Sequence, residues 1–161
     1  ILITSLITRI LLGMQFGFPL KDAYFKISLH KQEVMENNLQ VPENYQAVMP
    51  YLILQDAGSF IKFAERVFEA KIALKEMRDG SKIMHAEIKI GDSTVMVAET
   101  TADYEPQTAG LFVYVKDVDA AFELALELGS EMILEVTNKP YGRSGGIKDP
   151  FGNTWWITSA I

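Results

Sequence analysis

Two stretches of this chain repeat the same order of apolar and polar positions at a fixed spacing. The apolar run that ends at Asp56 matches the run that ends at Asp117, 61 residues later, and the turn at Gly91 matches the turn at Gly152 at the same spacing. Such a repeat indicates a supersecondary unit that buries its apolar face against a copy of itself. We therefore expect the function to lie where the copies meet.

The first copy has the pattern of a strand, a helix and three strands. The apolar run 48–55 is typical of a strand, and Asp56 at its end suits the N-cap position of a helix. Apolar residues then recur at spacings of three and four over 57–69, which predicts an amphipathic helix. Further strands, separated by turn signals at Asp79-Gly80 and Gly91-Asp92, are predicted at 72–77, 83–90 and 94–98.

The second copy follows a polar linker over 99–108 and has the same order. A strand at 111–115 precedes a helix at 118–128, for which Asp117 suits the N-cap position and Gly129 suits the left-handed position that ends a helix. The remaining strands are predicted at 132–136, near 146–148 and at 154–158. Because each helix covers one face of a sheet, the pattern predicts two four-stranded sheets that together form a cup.

Composition narrows the class of partner. The chain has 161 residues, of which 48% are apolar and 22% charged, and this balance is typical of one globular domain. Its net charge of −6 argues against a nucleic-acid partner, because phosphate contacts require clustered Lys and Arg. The chain has no cysteine, which excludes disulfides, thiolate zinc sites and a cysteine nucleophile. We expect a cytoplasmic protein.

Residues 1–34 share nothing with the repeat. The segment is rich in Ile and Leu, but polar residues interrupt it, so it falls short of the roughly 20 apolar residues that span a membrane. It also lacks the basic start and the cleavage site of a secretory signal. We expect an extension that is not native or, alternatively, an arm that packs on a second subunit. The domain is expected over 35–161, with modules at about 48–99 and 109–161.

Three motifs carry a resemblance to a known family. They are D-P-F-G-N-x-W-W-I over 149–157, M-P-Y-L over 49–52, and Y-V-K-D-V-D-A-A-F over 114–122. With the paired βαβββ order, they resemble the vicinal oxygen chelate superfamily of glyoxalases, bleomycin-resistance proteins and extradiol dioxygenases. Met84-His85-Ala86-Glu87 and the tandem Trp are similar to its PhnB-like branch. The resemblance implies an α+β fold in which two tandem βαβββ modules form a cup-shaped mixed sheet with helices on the outer face.

The resemblance also indicates where a metal would bind. In catalytic members of the superfamily, four side chains from the first and last strands of the modules hold a divalent metal. The resemblance and the 61-residue offset place Met49, Val95, Gly110 and Trp156 at those positions. None of the four offers an oxygen or nitrogen lone pair for a hard cation. We therefore predict neither a metal nor a cofactor.

Alternation along the predicted strands places aromatic side chains on the cup face. The candidate ligand-binding residues there are Tyr51, Phe112, Tyr114 and Trp156. They favour a planar or amphipathic organic ligand, and the alternative is that they fill the cup as core. Tyr141 and Arg143 lie in a glycine-rich segment that is predicted to form a flexible loop, and the resemblance implies that this loop lies near the mouth of the cup. We expect Arg143 either to meet an anionic group of the ligand or, alternatively, to lie on a solvated hairpin without a ligand contact.

His85 and Glu87 share one face of a predicted strand. Their spacing suits an acid/base pair or half of a displaced metal site, which makes them weak catalytic candidates. The alternative is a structural pair. We interpret Asp149 and Asn153, which flank a turn, as structural.

The leading hypothesis is a protein that binds, and sequesters, a small molecule without metal and without catalysis. One alternative is a metal-dependent lyase, isomerase or dioxygenase whose ligands lie elsewhere. Another is an interaction module that acts through its exposed sheet edges. By resemblance we also expect a homodimer in which a second chain completes each cup. We expect no nucleic-acid or membrane partner.

Overall fold

The computed structural model describes residues 39–160, and the expectation for residues 1–34 therefore lies outside the described residues. Both modules have the order βαβββ. In the first module the elements are β1 (Tyr51–Leu54), α1 (Ala57–Phe68), β2 (Lys71–Met77), β3 (Ile83–Ile90) and β4 (Ser93–Glu99). In the second they are β5 (Gly110–Tyr114), α2 (Val118–Glu127), β6 (Glu131–Lys139), β7 (Gly142–Lys148) and β8 (Thr154–Ser159).

The two modules have the same sheet topology. The strand orders are β1-β4-β3-β2 and β5-β8-β7-β6. In each sheet the first strand runs parallel to the last strand, and the other neighbours are antiparallel. The predicted duplication and the α+β class are both confirmed.

Capping residues mark the ends of the two helices. Asp56 accepts the backbone N–H of Ser59 at 2.8 Å, and Asp117 accepts that of Ala120 at 3.1 Å, so both act as the predicted N-caps. Gly129 has a φ of +92° just past α2, as predicted for the residue that ends a helix. In the described part of the chain, no helix is long and apolar enough to cross a membrane.

The modules share one hydrophobic core. Trp155 of the second module packs on two aromatic rings of α1 in the first, with centroid distances of 6.5 Å to Phe60 and 4.3 Å to Phe68. Its indole Nε1 donates to buried Asp149 at 2.8 Å, and the same carboxylate accepts from the Asn153 side chain at 2.9 Å. The predicted structural role of this turn is therefore consistent with its contacts.

One local prediction was wrong, since the segment expected to be a flexible loop belongs largely to β7, which begins at Gly142. The glycines leave room for large neighbouring rings. A Cβ atom at Gly145 would come 3.0 Å from Phe122 Cε2, and one at Gly146 would come 2.6 Å from Trp156 Cζ3. Glycine in a strand often marks such a close approach.

Candidate functional site

Each sheet buries one face against the helices and leaves aromatic residues exposed on the other. On β5 the side chain of Val113 is only 7% exposed, whereas its neighbours Phe112 and Tyr114 are 52% and 62% exposed. On β1, Leu52 is buried while Tyr51 is half exposed. The alternation expected for a half-buried strand is therefore present on β5, whereas β1 is exposed only at Tyr51 and is buried from Leu52 to Leu54. The exposed residues Tyr51, Phe112 and Tyr114 are among those predicted to line the cup.

The second sheet carries a cluster of four aromatic side chains, which we call the aromatic face. The Phe112 ring lies 5.3 Å from that of Tyr114 and 6.4 Å from that of Tyr141 between centroids. Trp156 is the cross-strand partner of Phe112 in the parallel β5–β8 pair. All four are at least one-third exposed: Phe112, Tyr114, Tyr141 and Trp156. The structure thus brings four of the six predicted ligand-binding residues together.

A cavity of about 380 Å³ lies beside the aromatic face. Both modules contribute to its wall, and the residues that bound it include Val48, Pro50, Thr94, Leu111, Phe112 and Tyr114. Its volume is within the usual range for small-molecule sites, about 300–1,000 Å³. The lining is mainly apolar and aromatic, so the cavity suits an organic compound better than a small ion.

Tyr51 belongs to a second group, the polar cluster on the first sheet. Its ring meets the His85 ring edge-on at a centroid distance of 5.7 Å, and its hydroxyl lies 3.4 Å from His85 Nδ1. His85 Nε2 is 3.2 Å from Glu87 Oε1. The predicted four-residue lining thus draws on both sheets, with the ring contact of Tyr51 on the first sheet and those of Phe112 on the second.

Tyr45 completes the polar cluster, and sequence reasoning missed it. Its hydroxyl donates to the two Glu87 oxygens at 3.0 and 2.8 Å. The hydrogen bond to the carboxylate, reinforced by burial and by the negative charge, raises the pKa of the Tyr45 phenol. Tyr45 precedes the first strand and lies outside the repeat, so no sequence pattern connects it with Glu87. Glu87 is only 7% exposed, and its carboxylate is held by a phenol and an imidazole.

Arg143 is engaged by polar side chains of its own module. Its guanidinium donates to both carboxylate oxygens of Asp119 at 2.7 Å and to the Asn138 side chain at 3.2 Å. The pairing lowers the pKa of Asp119 and raises that of Arg143. The forked donor group of Arg143 is thus already engaged by a carboxylate of α2, which argues against its meeting an anionic ligand group.

The positions inferred for a metal site need one correction. Val95 belongs to the core and is 5% exposed, whereas Met96 pairs with both Tyr51 and Glu87. The offset between the modules is therefore 60 in the last strand, and Met96 is the counterpart of Trp156. The Met96 thioether is a soft donor and is poorly suited to a hard cation.

The donor set at these positions does not fit the divalent metal of the superfamily's enzymes. Met96 and Trp156 lie on the outward faces, Met49 precedes β1, and Gly110 has no side chain. Within residues 39–160, no group of three or more His, Cys, Asp or Glu residues is placed to hold a metal ion. We derive no chemical step through a metal.

Comparison with known proteins identifies the relatives of this arrangement. The sequence model described as "Glyoxalase/Bleomycin resistance protein/Dioxygenase superfamily" matches residues 46–157. An uncharacterized protein of Mycobacterium bovis (strain ATCC BAA-935 / AF2122/97) is 30% identical over 127 residues, which cover 71% of this chain and 84% of the relative.

Three solved structures share the fold. TioX from Micromonospora sp. ML1 is 25% identical, with a TM-score of 0.57 and coverage of 72% of this chain and 97% of its own. A PhnB protein from Bacillus cereus, described as a putative 3-demethylubiquinone-9 3-methyltransferase, is 17% identical with a TM-score of 0.60 over 71% and 100% of the chains. TnmS3, an antibiotic binding protein from Streptomyces sp. CB03234, is 18% identical with a TM-score of 0.55 over 73% and 100%.

Proposed function

Because the chain belongs to the Glyoxalase/Bleomycin resistance protein/Dioxygenase superfamily, we propose that it is a metal-independent small-molecule-binding member of that superfamily. The ligand is a planar or amphipathic organic compound, and the aromatic face of the second sheet holds it. The protein sequesters this compound rather than transforming it. The absence of cysteine fits a reducing compartment, so we take the cytoplasm as the setting.

One observation carries the proposal: four aromatic side chains are exposed together on a sheet face that the helices leave uncovered. Contiguous exposed apolar patches are typical of ligand-binding grooves and interaction surfaces. A flat ligand gains from burial of ring area, and a well-placed aromatic pair adds about 0.5–1.5 kcal/mol beyond that burial. The adjacent 380 Å³ cavity offers room for the rest of such a molecule.

The relatives support the ligand class. TnmS3 is described as an antibiotic binding protein, and it has the same fold as this chain. Since its identity to this chain is only 18%, the likeness supports a site of this general architecture and not a particular antibiotic.

The side chains at the usual ligand positions support binding without metal. Met96 and Trp156 face outward where the superfamily's enzymes supply carboxylate, amide or imidazole groups. Both are suited to packing against an organic ring, the thioether through its polarisable sulfur and the indole through its area.

We also infer that a second copy of the chain completes the site. In one chain the aromatic face and the polar cluster lie on separate sheets. The aromatic face is exposed, and in the polar cluster Tyr51 is half exposed while Glu87 is buried. A two-fold dimer that sets the aromatic face of one copy against the polar cluster of its partner would bury both surfaces. Sedimentation velocity should give a dimer for the wild type and a monomer for Trp156→Glu, and a wild-type monomer would refute this arrangement.

The polar cluster favours a second candidate function, acid/base catalysis by His85 and Glu87. The two side chains are 3.2 Å apart, which is within the reach of proton transfer. This reading requires turnover of a glyoxalase-type substrate that Glu87→Gln abolishes. Turnover that instead depends on stoichiometric metal would favour the metal-dependent enzyme.

The test of binding is a thermal-shift screen of planar metabolites and antibiotics against purified protein. A compound that binds only the folded state raises the melting temperature, and a concentration of 100 Kd stabilises by about 2.7 kcal/mol. We expect hits for the wild type that Phe112→Ala and Trp156→Ala lose. Tyr104→Ala is the matched control, because Tyr104 is also exposed but lies in the linker. A screen whose hits are equally affected by all three variants would contradict the proposal.

A further inference from the structure

A second, larger cavity of about 460 Å³ lies at the junction of the two modules. One side is the C-terminal turn of α1 with the start of β2, and the other is the end of β5 with the first turns of α2. We call it the junction cavity. It shares Tyr114 with the aromatic face, but the remaining aromatic-face residues do not line it.

The charge of its lining is opposite in sign to that of the whole chain. The net charge of the chain is −6. The junction cavity is nevertheless lined by four basic and two acidic side chains: Arg66, Lys71, Lys89, Lys116, Glu69 and Asp117. A concave site with a local excess of one sign attracts ligands of the other sign.

Both acidic side chains already have partners. Glu69 pairs with Lys116 at 2.9 Å, and Asp117 accepts the Ala120 N–H as the N-cap of α2. The Lys89 ammonium donates to the Thr94 hydroxyl. Two cationic groups therefore remain to meet a ligand.

Those two groups are Arg66 and Lys71. In the part of the chain that the structure describes, neither forms a salt bridge; the four such pairs there are Lys82–Glu99, His85–Glu87, Lys116–Glu69 and Arg143–Asp119. Both side chains are exposed at the rim of the cavity.

The floor of the cavity is apolar. Val67, Phe68 and Ala121 line it, and each is at most 8% exposed. Leu124, on the next turn of α2, extends the same surface. A cationic rim above an apolar floor matches a molecule that has an anionic head and an apolar body.

We propose that the junction cavity is a second binding site, specific for an amphipathic organic carboxylate. The carboxylate meets Arg66 and Lys71, with the Arg66 guanidinium able to form two parallel hydrogen bonds, and the apolar body covers Val67, Phe68 and Leu124. The site is separate from the one proposed on the aromatic face, although Tyr114 belongs to both.

The experiment uses 2-naphthoate as the probe and 2-naphthylmethanol as its neutral counterpart, titrated into ¹⁵N-labelled full-length protein. The reporters are the backbone amide of Ala120, which lines the junction cavity and not the cavity beside the aromatic face, and the indole N–H of Trp156 on the aromatic face. We expect 2-naphthoate to shift the Ala120 signal with saturation and to bind at least about tenfold more tightly there than the alcohol does. Raised ionic strength should weaken the binding of the carboxylate only.

Variants separate charge recognition from structural damage. Arg66→Gln combined with Lys71→Gln should weaken 2-naphthoate binding at Ala120 about tenfold or more, while Lys75→Gln on β2, an exposed lysine outside the cavity, should leave it unchanged. Arg66→Lys should retain most of the affinity. Equal affinity for the alcohol and the carboxylate would overturn the inference, as would shifts confined to the Trp156 indole. Shifts confined to the Trp156 indole would leave the proposed function intact. If Ala120 reports binding and the Trp156 indole does not, the result counts against the proposed function and not against the junction cavity.

Discussion

The indole of Trp156 lies directly over Gly146. A Cβ atom at Gly146 would stand 2.6 Å from Cζ3 and 2.8 Å from Cε3 of that indole, and the two residues are cross-strand partners in the β7–β8 pair. In the first sheet the corresponding pair is Glu87 and Met96. Glycine on β7 thus sets the position of the largest ring of the aromatic face.

Gly146→Ala should therefore disturb the aromatic face. Because real Cβ atoms do not approach ring carbons this closely, the indole must move, and we expect a loss of about tenfold in the affinity for any compound that the face binds. Isothermal titration gives the affinity, and near-UV circular dichroism reports the indole. Gly110→Ala is the control, since a Cβ there meets nothing within 4 Å. Unchanged affinity in Gly146→Ala would show that the position of Trp156 is irrelevant to binding.

Asp149→Ala should be the most destabilising substitution in the turn before β8. The buried carboxylate accepts hydrogen bonds from the Trp155 indole, from the backbone of Phe151, and from the backbone and side chain of Asn153. Removing it leaves several buried donors without a partner, at a cost of about 3 kcal/mol or more. Urea unfolding measures the loss. The exposed Asp103 provides the control, and Asp103→Ala should change stability by less than about 0.5 kcal/mol.

The Asp56 carboxyl should make the stability of the fold depend on pH. Hydrogen bonds from Ser59 lower the pKa of this carboxyl, so its contribution to stability is present above the unfolded value of about 3.9 and is lost as pH falls through the folded value. Asp56→Asn, which keeps a good capping side chain, should match the wild type near neutral pH but show less loss of stability in acid. Asp56→Ala should lose about 1 kcal/mol at neutral pH. Identical acid unfolding curves for the wild type and Asp56→Asn would contradict this assignment.

Arg143→Gln should leave ligand affinity within about twofold of the wild type. Its guanidinium is engaged by Asp119 and Asn138, so a ligand gains nothing from it. The same titration as for Gly146→Ala measures the effect, with Trp156→Ala as the positive control. A tenfold loss in Arg143→Gln would restore the role that the sequence suggested for this residue.

The sequence predicted those features that depend on local chemistry. Asp56 and Asp117 were recognised as caps because a capping carboxylate needs only the next turn of its own helix. The repeat predicted the shared topology because both modules bury the same face of the same unit.

The features that the sequence missed depend on packing between elements. The spacing between equivalent residues of the two modules is one residue shorter in the last strand than at the turns, so Val95 faces the core and Met96 faces outward. A spacing measured from the turns cannot reveal this change. The glycines of β7 suggested flexibility, whereas rings from α2 and β8 require them. Tyr45 reaches Glu87 from outside the repeat, so no pattern connected the two.

The most direct test of the central claim is the affinity of one screened compound for a single preparation before and after EDTA treatment, with metal content determined on both samples. Binding by the aromatic face predicts the same Kd in both samples and at least a tenfold weaker Kd for Trp156→Ala. A Kd that rises when stoichiometric metal is removed, and recovers when the metal is restored, would contradict metal-independent binding.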